Sequence, residues 1–133
     1  MKKFKIENEL FSLADTQALG KENPDTFEVE TLEILAHSIK ETIKNDREAF
    51  AKLIFNHKGT NHSERMWVII TEFNEESKVI TGVLNNEPLT KEVAEKFAKN
   101  HGIPVEQVGY FFGGKLECDD EVEFELTNVA MVL

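Results

Sequence analysis

His57 and His62 bracket Lys58-Gly59-Thr60-Asn61, and Glu64 follows closely, so two imidazoles and a carboxylate could close on a divalent metal. The spacing matches no established metal motif, and solvated loop histidines are the competing reading. Glu64-Arg65 opens an apolar run, where the Arg65 guanidinium could fork onto the carboxylate of a neighbouring loop or of a ligand. Asn85-Asn86-Glu87-Pro88 could offer two amides and a carboxylate to a small molecule, although asparagines ahead of a proline also serve turn geometry alone. Glu64, Arg65, Asn85, Asn86 and Glu87 are therefore the candidate ligand-binding residues, and His57 with His62 the candidate metal pair. Trp67, the single tryptophan, sits among aliphatic residues and is expected in the core rather than as a stacking platform.

Other chemistry finds little support. Cys118 stands among Glu117, Asp119 and Asp120, surroundings that disfavour a nucleophilic thiolate. The acidic run at 117–125 lacks the ligand order of an EF-hand loop. Gly113-Gly114-Lys115 lacks both the spacing of a phosphate-binding loop and the hydroxyl residue that follows one. No nucleophile, base and orienting group recur at a usable spacing, which points away from an enzyme, and no cofactor is called for.

The chain of 133 residues suits one domain over 1–133, large enough to bury about two-thirds of its unfolded surface. Its one cysteine excludes an intrachain disulfide, its N-terminal lysines precede no apolar run, and no membrane-spanning stretch occurs, so a cytoplasmic setting is expected. The net charge of −10 is uneven: residues 1–66 carry 10 basic and 12 acidic groups, residues 67–133 only 5 against 13. Such a surface repels phosphate backbones, excluding nonspecific nucleic-acid binding, and suits either simple solubility or a basic protein partner.

The elements that must position these residues follow from periodicity. Residues 1–24 are the least regular, with Leu10, Phe11, Leu13, Ala14 and Leu19 predicting a short helix ended by Gly20 and Asn23-Pro24. Residues 26–30 alternate as a short strand or extended segment. Leu32, Leu35, Ala36, Ile39 and Ile43 form one helical stripe, broken at Asn45-Asp46. Leu53-Ile54-Phe55 reads as a strand, and residues 66–73 as the strongest strand, apolar on both faces. A polar turn at 74–77 returns the chain as an antiparallel partner over 78–84, where Gly82 signals a bulge or a close approach. Thr90 can cap a helix reaching Asn100, with Val93, Ala94, Phe97 and Ala98 inward and Gly102 and Pro104 ending it. A short strand is expected at 108–112 and a half-exposed, edge-type strand at 121–126. The sum is an α+β fold: a mainly antiparallel sheet of four to five strands with two principal helices.

At the central hairpin, Glu64-Arg65-Met66-Trp67-Val68 followed by Gly82-Val83-Leu84-Asn85-Asn86-Glu87-Pro88 resembles the bacterial family known as domain of unknown function 2314, the YegJ-like proteins. The resemblance spans roughly residues 20–90 and includes Asn23-Pro24-Asp25-Thr26-Phe27 and Lys52-Leu53-Ile54-Phe55. This chain departs from the family pattern at 45–50 and in placing a helix after Pro88. The family implies no activity, ligand or catalytic residue. The expected function is thus a non-enzymatic protein-interaction module. The alternative is a small-molecule-binding or hydrolytic domain with a pocket around Arg65 and the turn at 85–88.

Overall fold

The computed structural model describes residues 1–58, 63–88, 91–107 and 116–133. Its elements in chain order are β1 (Lys3–Phe4), β2 (Phe11–Leu13), α1 (Thr16–Glu22), α2 (Leu32–Lys44), β3 (Phe50–His57), β4 (Ser63–Phe73), β5 (Ile80–Leu84), α3 (Lys91–His101), β6 (Glu121–Phe124) and β7 (Val129–Val132). Single 3₁₀ turns follow α3 and β6. The fold is α+β, with one curled mixed sheet ordered β1-β6-β5-β4-β3-β2 and β7 joined to β3. Among the described residues, no helix is long and apolar enough to cross a membrane.

The sheet is larger than its sequence pattern suggests because the N-terminal segment joins its two sides. Lys3 and Phe4 pair in parallel with Glu121 and Val122 of β6. A few residues on, Glu7 bridges Ser12 of β2, and Leu13 donates to the Ile6 carbonyl at 3.0 Å. The Asn8 side chain makes this reversal by accepting from the backbone amides of Leu10 and Phe11 at 2.9 and 3.1 Å. One extended segment therefore touches β6 with its start and β2 with its end, closing the curled sheet on itself. Charges hold both contacts: Lys2 lies 3.4 Å from Asp120 and Lys3 3.8 Å from Glu121, while Glu7 reaches Lys58 at 2.8 Å.

Alternation along the strands decides what the curl encloses. Met66, Val68 and Ile70 of β4 are buried, and so are Leu53 and Phe55 of β3 and Val122 and Phe124 of β6. Phe11 and Phe55 meet edge to face at 4.8 Å, and Phe4 lies 5.6 Å from Phe11. Each fully buried side chain of this size contributes roughly 1.5–3 kcal/mol. α2 adds Leu35 and Ile39 to the same core; Thr31 caps it by accepting from Ile34, and Asp46 leaves it at φ 55°. Leu32 and Ile43, expected on the inward stripe, lie at its margins, 38% and 43% exposed.

Gly82 is a close-approach position. It pairs with Ile70, and a β-carbon there would sit 3.0 Å from the Ile69 carbonyl oxygen and 3.1 Å from Val68 Cγ2. The accompanying bulge lies on the facing strand, between Ile70 and Glu72.

Several expectations need correction. The segment expected as one helix near Leu10 splits into β2 and then α1, because Phe11 and Leu13 alternate inward around Ser12. Residues 27–30 alternate between half-buried and exposed and join no strand pair, which fits the extended-segment expectation and not the strand. Among the described residues the two principal helices, α2 and α3, are accompanied by the short α1, and there are seven strands rather than four or five, one pair of them parallel. β6 is internal, flanked by β5 and β1, rather than an edge. Phe97 faces outward, 45% exposed, and stacks on His101 with ring centroids 4.0 Å apart. Thr90 and the strand expected at 108–112, with Gly113-Gly114 after it, lie outside the described residues.

Candidate functional site

β2 and β7 share one side of β3 end to end: β2 pairs with Phe55, Asn56 and His57, and β7 with Ala51, Lys52 and Leu53. β7 is therefore a branch from the closed sheet, and among the described strands none pairs with its outer side. Phe50 and Leu133 exchange both backbone hydrogen bonds, at 3.2 and 2.9 Å. Antiparallel alternation then turns the N–H and C=O of Val132 away from β3. Ala130 is the extra residue where the register shifts between Lys52 and Leu53. The Val129 carbonyl is satisfied by the buried Thr16 hydroxyl, which donates to it at 2.6 Å.

Facing β7 across a gap is the extended chain that follows α1. Asp15 caps α1 by accepting from Ala18, and Asn23 ends it. Residues 27–30 lie against α1 because Gly20 has no side chain: a β-carbon there would stand 2.9 Å from Val29 Cγ1. Gln17 Nε2 donates to the Glu30 carbonyl at 2.9 Å and pins the far end. Between this wall and β7 is a groove of about 670 Å³. Phe27, Glu28, Val29 and Glu30 border it on one side, and Ala130, Met131 and Val132 on the other. Glu28 and Glu30 are exposed, Phe27 and Val29 half-buried, and Met131 is 47% exposed. Lys21 is the one cation among the lining residues, none of which carries a hydroxyl, thiol or imidazole. The groove can offer apolar contact, backbone hydrogen bonds and mainly negative charge.

The residues singled out from sequence fall around this groove or away from it. Arg65 is exposed on the outer face of β4, its guanidinium 5.6 Å from the centroid of the Phe27 ring, so it steadies the groove wall. Glu64 points the other way, 3.6 Å from the Nε2 of His57, which is buried. His62 lies outside the described residues, and among those described no three metal-ligating side chains gather. Asn86 accepts from the Trp67 amide through Oδ1, and Asn85 N–H donates to the Trp67 carbonyl at 2.9 Å. The side chains of Asn85 and Glu87 are exposed. Asn85 and Asn86 thus extend the hairpin's pairing onto Trp67, whereas Arg65 is engaged with Phe27. None of the five lines the groove.

Trp67 corrects another expectation. Met66 is in the core, but Trp67 is on the outer face, half-buried, with Lys52 over its ring at 5.1 Å. The acidic run also has internal work. Asp120, 2% exposed, accepts from the amides of Lys2 and Glu117 at 2.9 Å each and pairs with the Lys2 ammonium. Sequence reasoning missed the groove itself. Its signals were the alternation at 26–30 and the uncharged run Val129-Ala130-Met131-Val132, neither strong over so few residues. No family model matches the chain, and neither a curated protein nor a solved structure matches it.

Proposed function

We propose that this chain is a non-enzymatic protein-interaction domain and that the groove between β7 and residues 27–30 is where it meets its partner. The observation that carries this reading is the groove's chemistry: an exposed methionine, two exposed glutamates and a strand edge that no described strand pairs. The kinship with the YegJ-like family belongs to the same proposal; it is supported by the motif's two halves being joined in space, Asn86 to Trp67. A cytoplasmic setting goes with it, consistent with the single cysteine.

Site-specific photo-crosslinking tests the reading. A crosslinker at Met131 should capture a defined partner, and one at the exposed Thr71 of β4 should not. Equal capture from both positions, or from neither, would remove the groove as the contact surface. Capture centred instead on Glu87 would favour the alternative site at the turn.

A further inference from the structure

We infer that the groove receives one extended segment of a partner protein as an added β-strand between β7 and residues 27–30, and that this segment carries lysine or arginine at alternate positions. The inference rests on the interaction-domain reading and gives that reading a class of partner.

The lining pattern carries the first step. Side chains of an extended chain alternate between two faces, so a cavity against one face touches every second residue. Here three consecutive residues of β7 and four consecutive residues of the opposite wall border the same cavity. The groove therefore runs between the backbones of these two segments, with Gln17, Gly20 and Lys21 of α1 completing its lining. Strands about 4.8 Å apart in a layer about 10 Å thick, rising about 3.3 Å per residue, give roughly 630 Å³ for a four-residue strand. The groove, about 670 Å³ beside three residues of β7, has room for such a strand.

The edge itself is unguarded. Natural edge strands are blunted by charge, proline or cover, and Val129-Ala130-Met131-Val132 has neither charge nor proline. Its protection is one bulged residue, Ala130, and the hydroxyl of Thr16 over Val129. Val132 presents both a donor and an acceptor to the groove. An incoming strand satisfies both, and a helix, with its backbone already paired, satisfies neither.

Charge selects the strand. Glu28 and Glu30 sit two apart on the extended wall and are exposed, so they share one face. Residues opposite one another on paired strands stand about 5 Å apart, so cations at every second position of the guest meet both carboxylates. A second copy of this chain would bring another net charge of −10 to the same place and is disfavoured.

The test uses the whole protein and three synthetic heptapeptides, read by calorimetry and amide exchange. One alternates valine and lysine, one alternates valine and glutamate, and one is the lysine peptide N-methylated at alternate amides along one edge. The lysine peptide should bind and slow exchange at Val132 and residues 28–30. The glutamate peptide should bind at least about tenfold more weakly, and N-methylation on the pairing edge should abolish binding. Val132→Pro removes an outward N–H and trims a half-buried side chain that packs against the core, so it should lower the thermal midpoint slightly, keep the fold, and weaken binding about tenfold. The Glu28→Lys and Glu30→Lys double variant should reverse the charge preference.

A methylated peptide that binds as well as its parent would overturn strand addition, whatever becomes of Val132→Pro. Equal affinity for the lysine and glutamate peptides would overturn the basic partner. Self-association lost in Val132→Pro would make the occupant a second copy and overturn the proposal too. Absence of peptide binding up to about 1 mM would overturn it as well. In each case crosslinking at Met131 decides the interaction-domain reading separately.

Discussion

The Arg65 guanidinium lies over the Phe27 ring, 5.6 Å from its centroid, and so ties the outer face of β4 to the wall of the groove. An exposed cation–aromatic contact contributes about 0.5–1 kcal/mol, enough to bias a wall segment but not to decide the fold. Arg65→Met should lower the melting temperature by only about 2–6 °C while quickening amide exchange across residues 27–30. Exchange unchanged in that segment would show that the wall stands without Arg65.

Asn86 acts through the backbone of Trp67. Asn86→Ala leaves the Trp67 N–H without its acceptor in a half-buried position. The expected loss is about 1–3 kcal/mol, with Asn86→Asp retaining most of the stability because it keeps the acceptor oxygen. Chemical denaturation of the three proteins checks the ranking, and an alanine variant as stable as wild type would sink it.

Gly20→Ala sets two effects against each other. Alanine stabilises a helix interior by about 0.5–1 kcal/mol, while its β-carbon would stand 2.9 Å from Val29 Cγ1. Moving a stiff valine off its rotamer costs about 0.5–1.5 kcal/mol. Overall stability should therefore stay within about 1 kcal/mol of wild type, and the displacement should appear at Val29 in amide and methyl chemical shifts. Unmoved Val29 signals would count against the close contact.

Two carboxylates carry a defined pH dependence. Hydrogen bonding from Lys58, reinforced by its charge, holds Glu7 below 4.5, and Lys40 does the same for Glu75. A folded-state value lowered in this way stabilises the fold above the unfolded value and loses that contribution as the pH falls through the folded one. The loss should begin as the pH drops below 4.5. Both groups are fully exposed, so the effect is small and screened by salt. Glu7→Gln with Glu75→Gln should flatten the stability profile below that pH and leave neutral-pH stability nearly unchanged. An unaltered acid limb would show that other carboxylates set it.

Asp120→Ala attacks the closure of the sheet. It strips the acceptor from two backbone amides, Lys2 and Glu117, and the partner from the Lys2 ammonium. A cost of about 2–4 kcal/mol is expected, with amide protection lost first over residues 2–8. Uniform loss of protection throughout the chain would place Asp120 in the global core instead.

The parts legible in the sequence were those with enough residues to repeat a period. α2 and the β4–β5 hairpin are long, and Leu35, Ile39, Met66, Val68 and Ile70 announced their buried sides. Gly82 announced a close approach because few other roles bring glycine into a strand. β1 and β2 have two and three residues, too few to show alternation, and their partners are remote in sequence. β7 has four residues, likewise too few to tell a strand from any other apolar stretch. Trp67 was misplaced because an apolar residue on an outer face, under the stem of Lys52, has the same neighbours in sequence as one in the core. The candidate site was the least legible, since residues 27–30 and 130–132 are brought together only by tertiary structure.

The closure of the sheet by its first residues has a consequence for how the chain must be made. Lys2 and Asp120 are 118 positions apart, and Glu121 donates to the Lys2 carbonyl at 2.8 Å. During synthesis the β3–β4 and β4–β5 pairs can form from neighbouring segments, while β1 must wait for β6 to emerge. Until then the apolar interior beside Phe4 and Phe11 is open along a full seam. Refolding should therefore show a late step in which residues 2–8 gain protection after the hairpins, and a ribosome-bound chain stopped before Glu121 should hold its hairpins with the seam unsealed.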